Sequence, residues 1–199
     1  MYNTLGVLLS GGESRRFGVP KAFASYKNQF FWKISFQALE KVAETSVIIT
    51  QSKYFDRFSQ EEFVKMYEDD PLFKGNGPLA GIYTAMKKER AEWYVVLSCD
   101  IPRITSRTLE NLLKFRDSHI QAVIPKVSGK IQPLIGVYHH SIFPIIENQL
   151  TMNQLKITNL LNLINVCYVT EEDLMSDQEI FSNINSQMDY NKLLKRDYK

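Results

Sequence analysis

Three short segments hold the residue types that chemistry needs. The first runs over residues 9–21, Leu9-Ser10-Gly11-Gly12-Glu13-Ser14-Arg15-Arg16-Phe17-Gly18-Val19-Pro20-Lys21. Small residues at its start let backbone N–H groups approach a ligand closely and point at anionic oxygens. Arg15, Arg16 and Lys21 add cations to the same loop. A glycine-rich loop with fixed cations suits a nucleoside triphosphate. A flexible surface turn with solvated basic side chains is the plainer reading of the same composition. Gly18 is followed by Val19-Pro20-Lys21, so the loop is neither a Gly-Lys-Ser/Thr phosphate loop nor the G-x-G-x-x-G of a dinucleotide site.

The second segment is Cys99-Asp100-Ile101-Pro102, directly after an apolar run. A carboxylate there is too costly to bury alone, so it reaches solvent, a cation or a metal. Mg²⁺ takes one or two carboxylates and completes its octahedron with phosphate and water, which makes Asp100 the metal candidate. A strand-end Asp that only caps the next turn is the rival reading. The third segment holds Asp69-Asp70 and then Gly77-Pro78-Leu79-Ala80-Gly81. Asp70 can accept from ribose hydroxyls or from the N1–H and 2-amino donors of guanine. Two adjacent aspartates also suit a plain hydrophilic loop tip.

Other chemistries lack their residues. His119, His139 and His140 match no metal spacing, and no G-x-S-x-G accompanies Ser10 or Ser14. Cys99 and Cys167 form no C-x-x-C, fall in apolar stretches and read as buried small hydrophobes of a reduced, cytoplasmic chain. Trp32 and Trp93 read as packing residues. A net charge of +2 over 199 residues gives no whole-surface case for nucleic acid or an anionic membrane. The apolar run after Met1 stops at Gly11, too early for a signal peptide, and no run reaches membrane-spanning length.

The elements that must position these segments alternate. Apolar runs at residues 5–9, 46–50, 63–67, 93–98, 121–124, 134–138 and 166–169 read as strands. Residues 30–43, 79–90, 106–116, 141–150 and 155–163 read as helices, the third capped by Thr105 or Ser106. Residues 69–78 read as a loop, 128–130 as a turn, and the end of the chain as a polar tail. Strands apolar on both faces and interleaved with helices predict one α/β domain over 1–199, its sheet covered on both sides. Ligands of such sheets bind beyond the C-terminal strand ends. All three segments fall at such ends, which predicts a single concave site.

These segments, in this order, resemble the molybdenum cofactor guanylyltransferases, the MobA family. The family's L-A-G-G-x-S-x-R-M-G-x-x-K-A is similar to residues 9–22, its G-P-L-A-G stands unchanged at residues 77–81, and its C-D-x-P at residues 99–102. A tail pattern N-I-N-T-P-E-D is echoed by Asn183-Ile184-Asn185-Ser186-Gln187-Met188-Asp189, without the Pro. Ser10 replaces the commoner Ala and Phe17 the Met.

The resemblance implies a Rossmann-like nucleotidyltransferase fold, a GT-A-like three-layer sandwich with a mostly parallel central sheet. It implies transfer of GMP from Mg²⁺-bound GTP to molybdenum–molybdopterin with release of pyrophosphate. It assigns GTP binding to Leu9, Ser10, Gly11, Lys21, Asp70 and Asp100, Mg²⁺ to Asp100, and the pterin side to Asn183 and Asn185. Arg16, Lys21 and Asp100 are the expected catalytic residues, since nucleotidyl transfer rests on positioning and charge stabilisation. The GTP-binding part is expected over about residues 1–105 and the acceptor part over about 106–199. The expected partners are GTP, molybdenum–molybdopterin and transient cofactor-handling proteins, with no nucleic acid and no membrane. A related transferase using CTP or a sugar phosphate, and a paralogue that only binds nucleotide, are the alternatives.

Overall fold

In this computed structural model, residues 1–12, 17, 20–60 and 64–196 are described. The first apolar run forms β1 (Tyr2–Leu9). A hairpin of β2 (Ser25–Tyr26) and β3 (Gln29–Phe30) follows, turning through Lys27 and Asn28, both at positive φ. Then come α1 (Phe31–Glu40), β4 (Thr45–Ile49), the short α2 (Phe55–Ser59), β5 (Lys65–Tyr67), α3 (Pro78–Lys88) and β6 (Ala91–Ser98). The second half adds α4 (Ser106–Leu113), β7 (Ala122–Val127), β8 (Lys130–Ile131) and β9 (Ile135–His139). It ends with α5 (Phe143–Thr151), α6 (Ile157–Leu161), β10 (Val166–Val169) and α7 (Gln187–Arg196).

Among the described residues one eight-stranded sheet runs in the order β10-β7-β9-β6-β1-β4-β5, with β8 paired to β7. The β6-β1-β4-β5 half is parallel throughout. β9 runs against both its neighbours, and β10 is parallel to β7. The sheet is therefore mostly parallel, as expected, with a reversed strand inside it.

Side-chain alternation divides the core. Leu8, Ile48, Val95 and Leu97 face one side with Trp32, Phe36 and Leu39 of α1 and Leu109 and Leu112 of α4. Val7, Val47, Ile49 and Val96 face the other with Leu79, Ile82 and Tyr83 of α3, Ile146 and Leu150 of α5 and Leu160 of α6. This gives helix, sheet and helix layers. Each fully buried large apolar side chain contributes about 1.5–3 kcal/mol, which holds the strand ends in register beneath the site. Trp32 and Trp93 are both buried in the first of these clusters.

The polar tail is not extended coil. Ser186 Oγ accepts from the N–H of Asp189 at 3.2 Å, while Asp189 Oδ2 accepts from the N–H of Ser186 at 2.9 Å, a reciprocal capping box that starts α7. The Ser186-Gln187-Met188-Asp189 spacing carries that signal in the sequence. Ile184 and Leu193 bury against Phe17, Ala24, Tyr26 and Phe31, so the tail packs on Phe17, the hairpin and the start of α1. Tyr190 stacks edgewise on Phe17 at 5.4 Å and donates from its hydroxyl to the Ser25 carbonyl at 2.6 Å.

Candidate active site

The sequence brings residues 9–12, 20–23, 69–81 and 98–100 to the C-terminal ends of four parallel strands. A cavity of about 400 Å³ opens there, lined by members of all three segments. That volume lies within the ordinary range for small-molecule sites. Leu9, Ser10 and Gly11 lie on its wall. Strand pairing fixes their backbone: the Ser10 N–H donates to the Ile49 carbonyl at 2.8 Å, and the Cys99 N–H to the Leu9 carbonyl at 3.2 Å. The Thr50 hydroxyl donates to the Ser10 carbonyl at 3.2 Å. Among the described residues, chain neighbours aside, no heavy atom lies within 4 Å of where a Cβ would stand on Gly11 or Gly12, so a ligand can approach this backbone closely. Arg16 lies outside the described residues, as do residues 13–15, 18 and 19.

Lys21 follows Pro20 on a short 3₁₀ turn. Its ammonium donates to Asp100 Oδ2 at 2.8 Å and to Asn185 Oδ1 at 2.8 Å. Asp100 Oδ1 accepts a hydrogen bond from the Ser98 hydroxyl. The Asp100 carbonyl accepts from the N–H of Ile184 at 2.9 Å. A cation from the first loop, a carboxylate from the end of β6 and an amide from the tail thus meet at one point. The side chains of Lys21 and Asp100 are each 17% exposed, open enough for a ligand to reach.

The third segment divides its two aspartates. Asp70 is turned away from the cavity: its Oδ2 accepts from Lys87 at 2.8 Å, its Oδ1 from the Leu72 N–H at 3.1 Å, and its own N–H donates to Thr84 Oγ1 at 2.8 Å. The Lys87 ammonium, helped by the Leu72 N–H, holds the Asp70 carboxyl below its ordinary value against its burial. Asp69 lines the cavity instead. Burial pushes its carboxyl up, opposed by the Gly75 N–H that donates to Oδ2 at 3.3 Å. The pattern of two adjacent aspartates could not separate them. Only the direction in which the chain leaves β5 does.

Gly77 and Gly81 each meet a specific demand. Gly77 precedes α3 at φ +73°, a conformation that favours glycine. A Cβ on Gly81 would stand 2.8 Å from Leu9 Cδ2, so glycine lets α3 lie against β1 at the cavity floor. Cys99 and Cys167 are half-buried rather than fully buried. The Cys99 thiol, on the cavity wall, is pushed up to about 12, first by burial and then by the neighbouring Asp100 charge. That shift favours the neutral thiol.

A second cavity, of about 550 Å³, has Ile184 on its wall, the residue whose N–H meets the Asp100 carbonyl. Asn183, Arg103, Gln132, Ser128 and Lys192 line it, and Arg103 pairs there with Glu179. Asn183 stands on this wall and Asn185 on Lys21, so the tail reaches both the second cavity and the lysine of the first. The histidines stand apart, with the His139 and His140 rings 4.2 Å from each other and His139 against Trp93 at 4.7 Å.

A cavity at the ends of parallel strands, with a glycine-opened backbone on one wall and a lysine–aspartate pair on another, suits a nucleotidyltransferase. The model of the MobA-like NTP transferase domain matches residues 6–162, and the chain belongs to that family. A Bacillus subtilis (strain 168) protein named probable molybdenum cofactor guanylyltransferase is 42% identical over 199 residues, which cover 97% of this chain and 98% of that one. A protein of the same name from Geobacillus sp. (strain WCH70) is 37% identical, covering 98% and 100%. The crystal structure of molybdopterin-guanine dinucleotide biosynthesis protein A from Archaeoglobus fulgidus superposes with a TM-score of 0.83 at 25% identity, over 98% of both chains. The 4-diphosphocytidyl-2C-methyl-D-erythritol synthase of Anaerococcus prevotii shares the fold, with a TM-score of 0.76 at 9% identity over 98% of this chain and 96% of that one.

Proposed function

We infer that the protein transfers GMP from GTP to molybdenum–molybdopterin, forming the guanine dinucleotide cofactor and releasing pyrophosphate. The observation that carries this reading is the Lys21–Asp100 pair on the wall of the first cavity, tied through Asn185 to the tail whose Asn183 lines the second, together with the relatives' name. The nucleotide occupies the first cavity, with Leu9, Ser10 and Gly11 along it and its triphosphate at Lys21 and Asp100. Asp69, and not Asp70, is the carboxylate placed to contact the nucleotide there; Asp70 acts through the loop it holds. The acceptor occupies the second cavity beside Asn183 and Asn185. The donor part over about residues 1–105 and the acceptor part over about 106–199 thereby share the Lys21–Asn185 contact.

An oxygen of the acceptor phosphate attacks the α-phosphorus of GTP, and the bond from that phosphorus to the bridging oxygen breaks. The electron pair leaves with pyrophosphate. The acceptor is already an anion, so no strong base is needed. Lys21 meets the negative charge that builds on the leaving and equatorial oxygens. Asn185 orients the ammonium. Asp100 fits Mg²⁺, because it presents a carboxylate beside a hydroxyl at the phosphate end, and that ion needs only one or two protein carboxylates when phosphates complete its shell. When bound, Mg²⁺ neutralises phosphate charge in the transition state. Arg16 is proposed as a second cation at the pyrophosphate. Among the described residues no helix is long and apolar enough to cross a membrane, and the two free thiols suit a reduced cytoplasm.

The test is pyrophosphate release on mixing the protein with Mg²⁺, molybdenum–molybdopterin and each of GTP, ATP, CTP and UTP. Release with GTP in preference to the others is expected. Preferential release with CTP overturns the guanylyl assignment in favour of the cytidylyl alternative. Binding without release in every mixture marks a non-catalytic paralogue.

A further inference from the structure

Gln51 follows the end of β4 and stands between two hollows. It lines the nucleotide cavity with Gly11, Asp69 and Gly77, and also a neighbouring depression of about 420 Å³ with Ser52, Lys53 and Lys74. Its Nε2 donates to the Gly11 carbonyl at 2.8 Å. A carbonyl can only accept, so this bond fixes which way the amide lies: Nε2 toward the loop and Oε1 on the opposite side.

The sheet order sets where Gln51 lies relative to Lys21 and Asp100. Asp100 follows β6, Gln51 follows β4 and Asp69 follows β5, in the order β6-β1-β4-β5. Gln51 is two strand spacings from Asp100, on the order of 10 Å, and Asp69 one spacing more. With phosphates at Lys21 and Asp100, a nucleotide laid across the strand ends brings its base to Gln51 and Asp69. Both offer acceptors. The edge of guanine that distinguishes it from adenine carries two adjacent donors, N1–H and the 2-amino group.

We propose that Gln51 is a specificity-determining residue, its Oε1 accepting from the 2-amino group of guanine while Asp69 accepts from the neighbouring donor. The proposal rests on the guanylyl-transfer reading for the end of the cavity that takes the phosphates. The Gly11 contact holds the amide in the accepting orientation before the base arrives, so little side-chain entropy is lost on binding. Adenine would present a ring nitrogen acceptor to these acceptors, and unpaired groups would result.

Inosine triphosphate separates the two acceptors, because hypoxanthine keeps N1–H and lacks the 2-amino group. Calorimetric titration of the full chain with the Mg²⁺ complexes of GTP, ITP and ATP is the test. The wild type is expected to bind GTP about five- to tenfold more tightly than ITP, the worth of one hydrogen bond. In Gln51→Ala the GTP affinity is expected to fall to that of ITP, with ITP changed by less than about twofold. Equal losses for both nucleotides would overturn the proposal and leave Gln51 as a tether of the Gly11 loop. A wild type that prefers GTP to ATP yet binds GTP and ITP alike would overturn it too, with the guanylyl reading intact. No preference for GTP over ATP would instead bring down the guanylyl reading and this inference with it.

Discussion

Among the described residues Lys21 reaches Asp100 and Asn185, from two distant parts of the chain, and the sequence marks each of the three without showing that they meet. Its tie to Asp100 and Asn185 makes it more than a solvated loop charge, and on the proposed reading its ammonium stands at the phosphate end of the cavity. Lys21→Ala is expected to lower kcat by about 10²–10³-fold, the loss for one preorganised charge-stabilising donor. Destabilisation of about 0.5–1.5 kcal/mol should accompany it, since Asp100 and Asn185 each lose a hydrogen bond. Steady-state guanylyl transfer, with a denaturant titration beside it, measures both. Unchanged turnover would return Lys21 to a purely structural tie. Asp100→Asn keeps the shape and loses the charge. Its melting temperature should stay within a few degrees of wild type while Mg²⁺-dependent turnover is mostly lost. A normal rate at limiting Mg²⁺ would mean that Asp100 only anchors Lys21 and the tail.

At the scale of elements, α7 is what the strand-and-helix pattern did not announce. Its apolar positions are few, and its burial is against Phe17 and Phe31 from the other end of the chain. What starts it is local: the Ser186–Asp189 box. Ser186→Ala should lower stability by about 1 kcal/mol, the ordinary worth of such a cap. It should also raise the KM for molybdenum–molybdopterin more than the KM for GTP, because Asn183 and Asn185 hang on the segment that α7 anchors. Equal changes in both constants, or none, would separate the tail from the acceptor side. By contrast α4 was legible from sequence, and Thr105 caps it as expected, accepting from the Thr108 N–H at 3.2 Å. Its single apolar stripe faces the sheet, so local pattern and tertiary demand coincide.

For the molecule as a whole, acid should act through carboxyls whose folded value is depressed. Asp70 is held down first by the Lys87 ammonium, and Asp189 first by the Ser186 hydroxyl. A depressed carboxyl adds stability that is complete above its unfolded value and lost as pH falls through its folded value. Denaturant midpoints should therefore hold level from neutral pH down to about pH 5 and fall below about pH 4. Lys87→Met should flatten part of that acid slope and cost about 1–3 kcal/mol at neutral pH, because Asp70 is left buried with one partner fewer. A slope identical to that of the wild type would show that Asp70 does not carry it.

Seven of the strands, the three site segments and their place at strand ends were readable from the amino acids alone, whereas the two-residue strands β2, β3 and β8 were too short to leave a pattern. Apolar alternation and glycine or proline punctuation are local, and burial on both faces of a parallel sheet leaves strong marks. The family motifs at residues 9–22, 77–81 and 99–102 were readable for the same reason, since a backbone that must approach a ligand demands particular residues at fixed spacing. Tertiary structure alone decided that Asp69 faces the cavity and Asp70 faces Lys87. It also decided that β9 runs backwards beside β6, and that Asn185 meets Lys21 across 164 positions. None of these has a periodic signature. Each depends on which way a chain turns on leaving a strand and on what distant surface it then meets, and that is settled only when the whole core is packed.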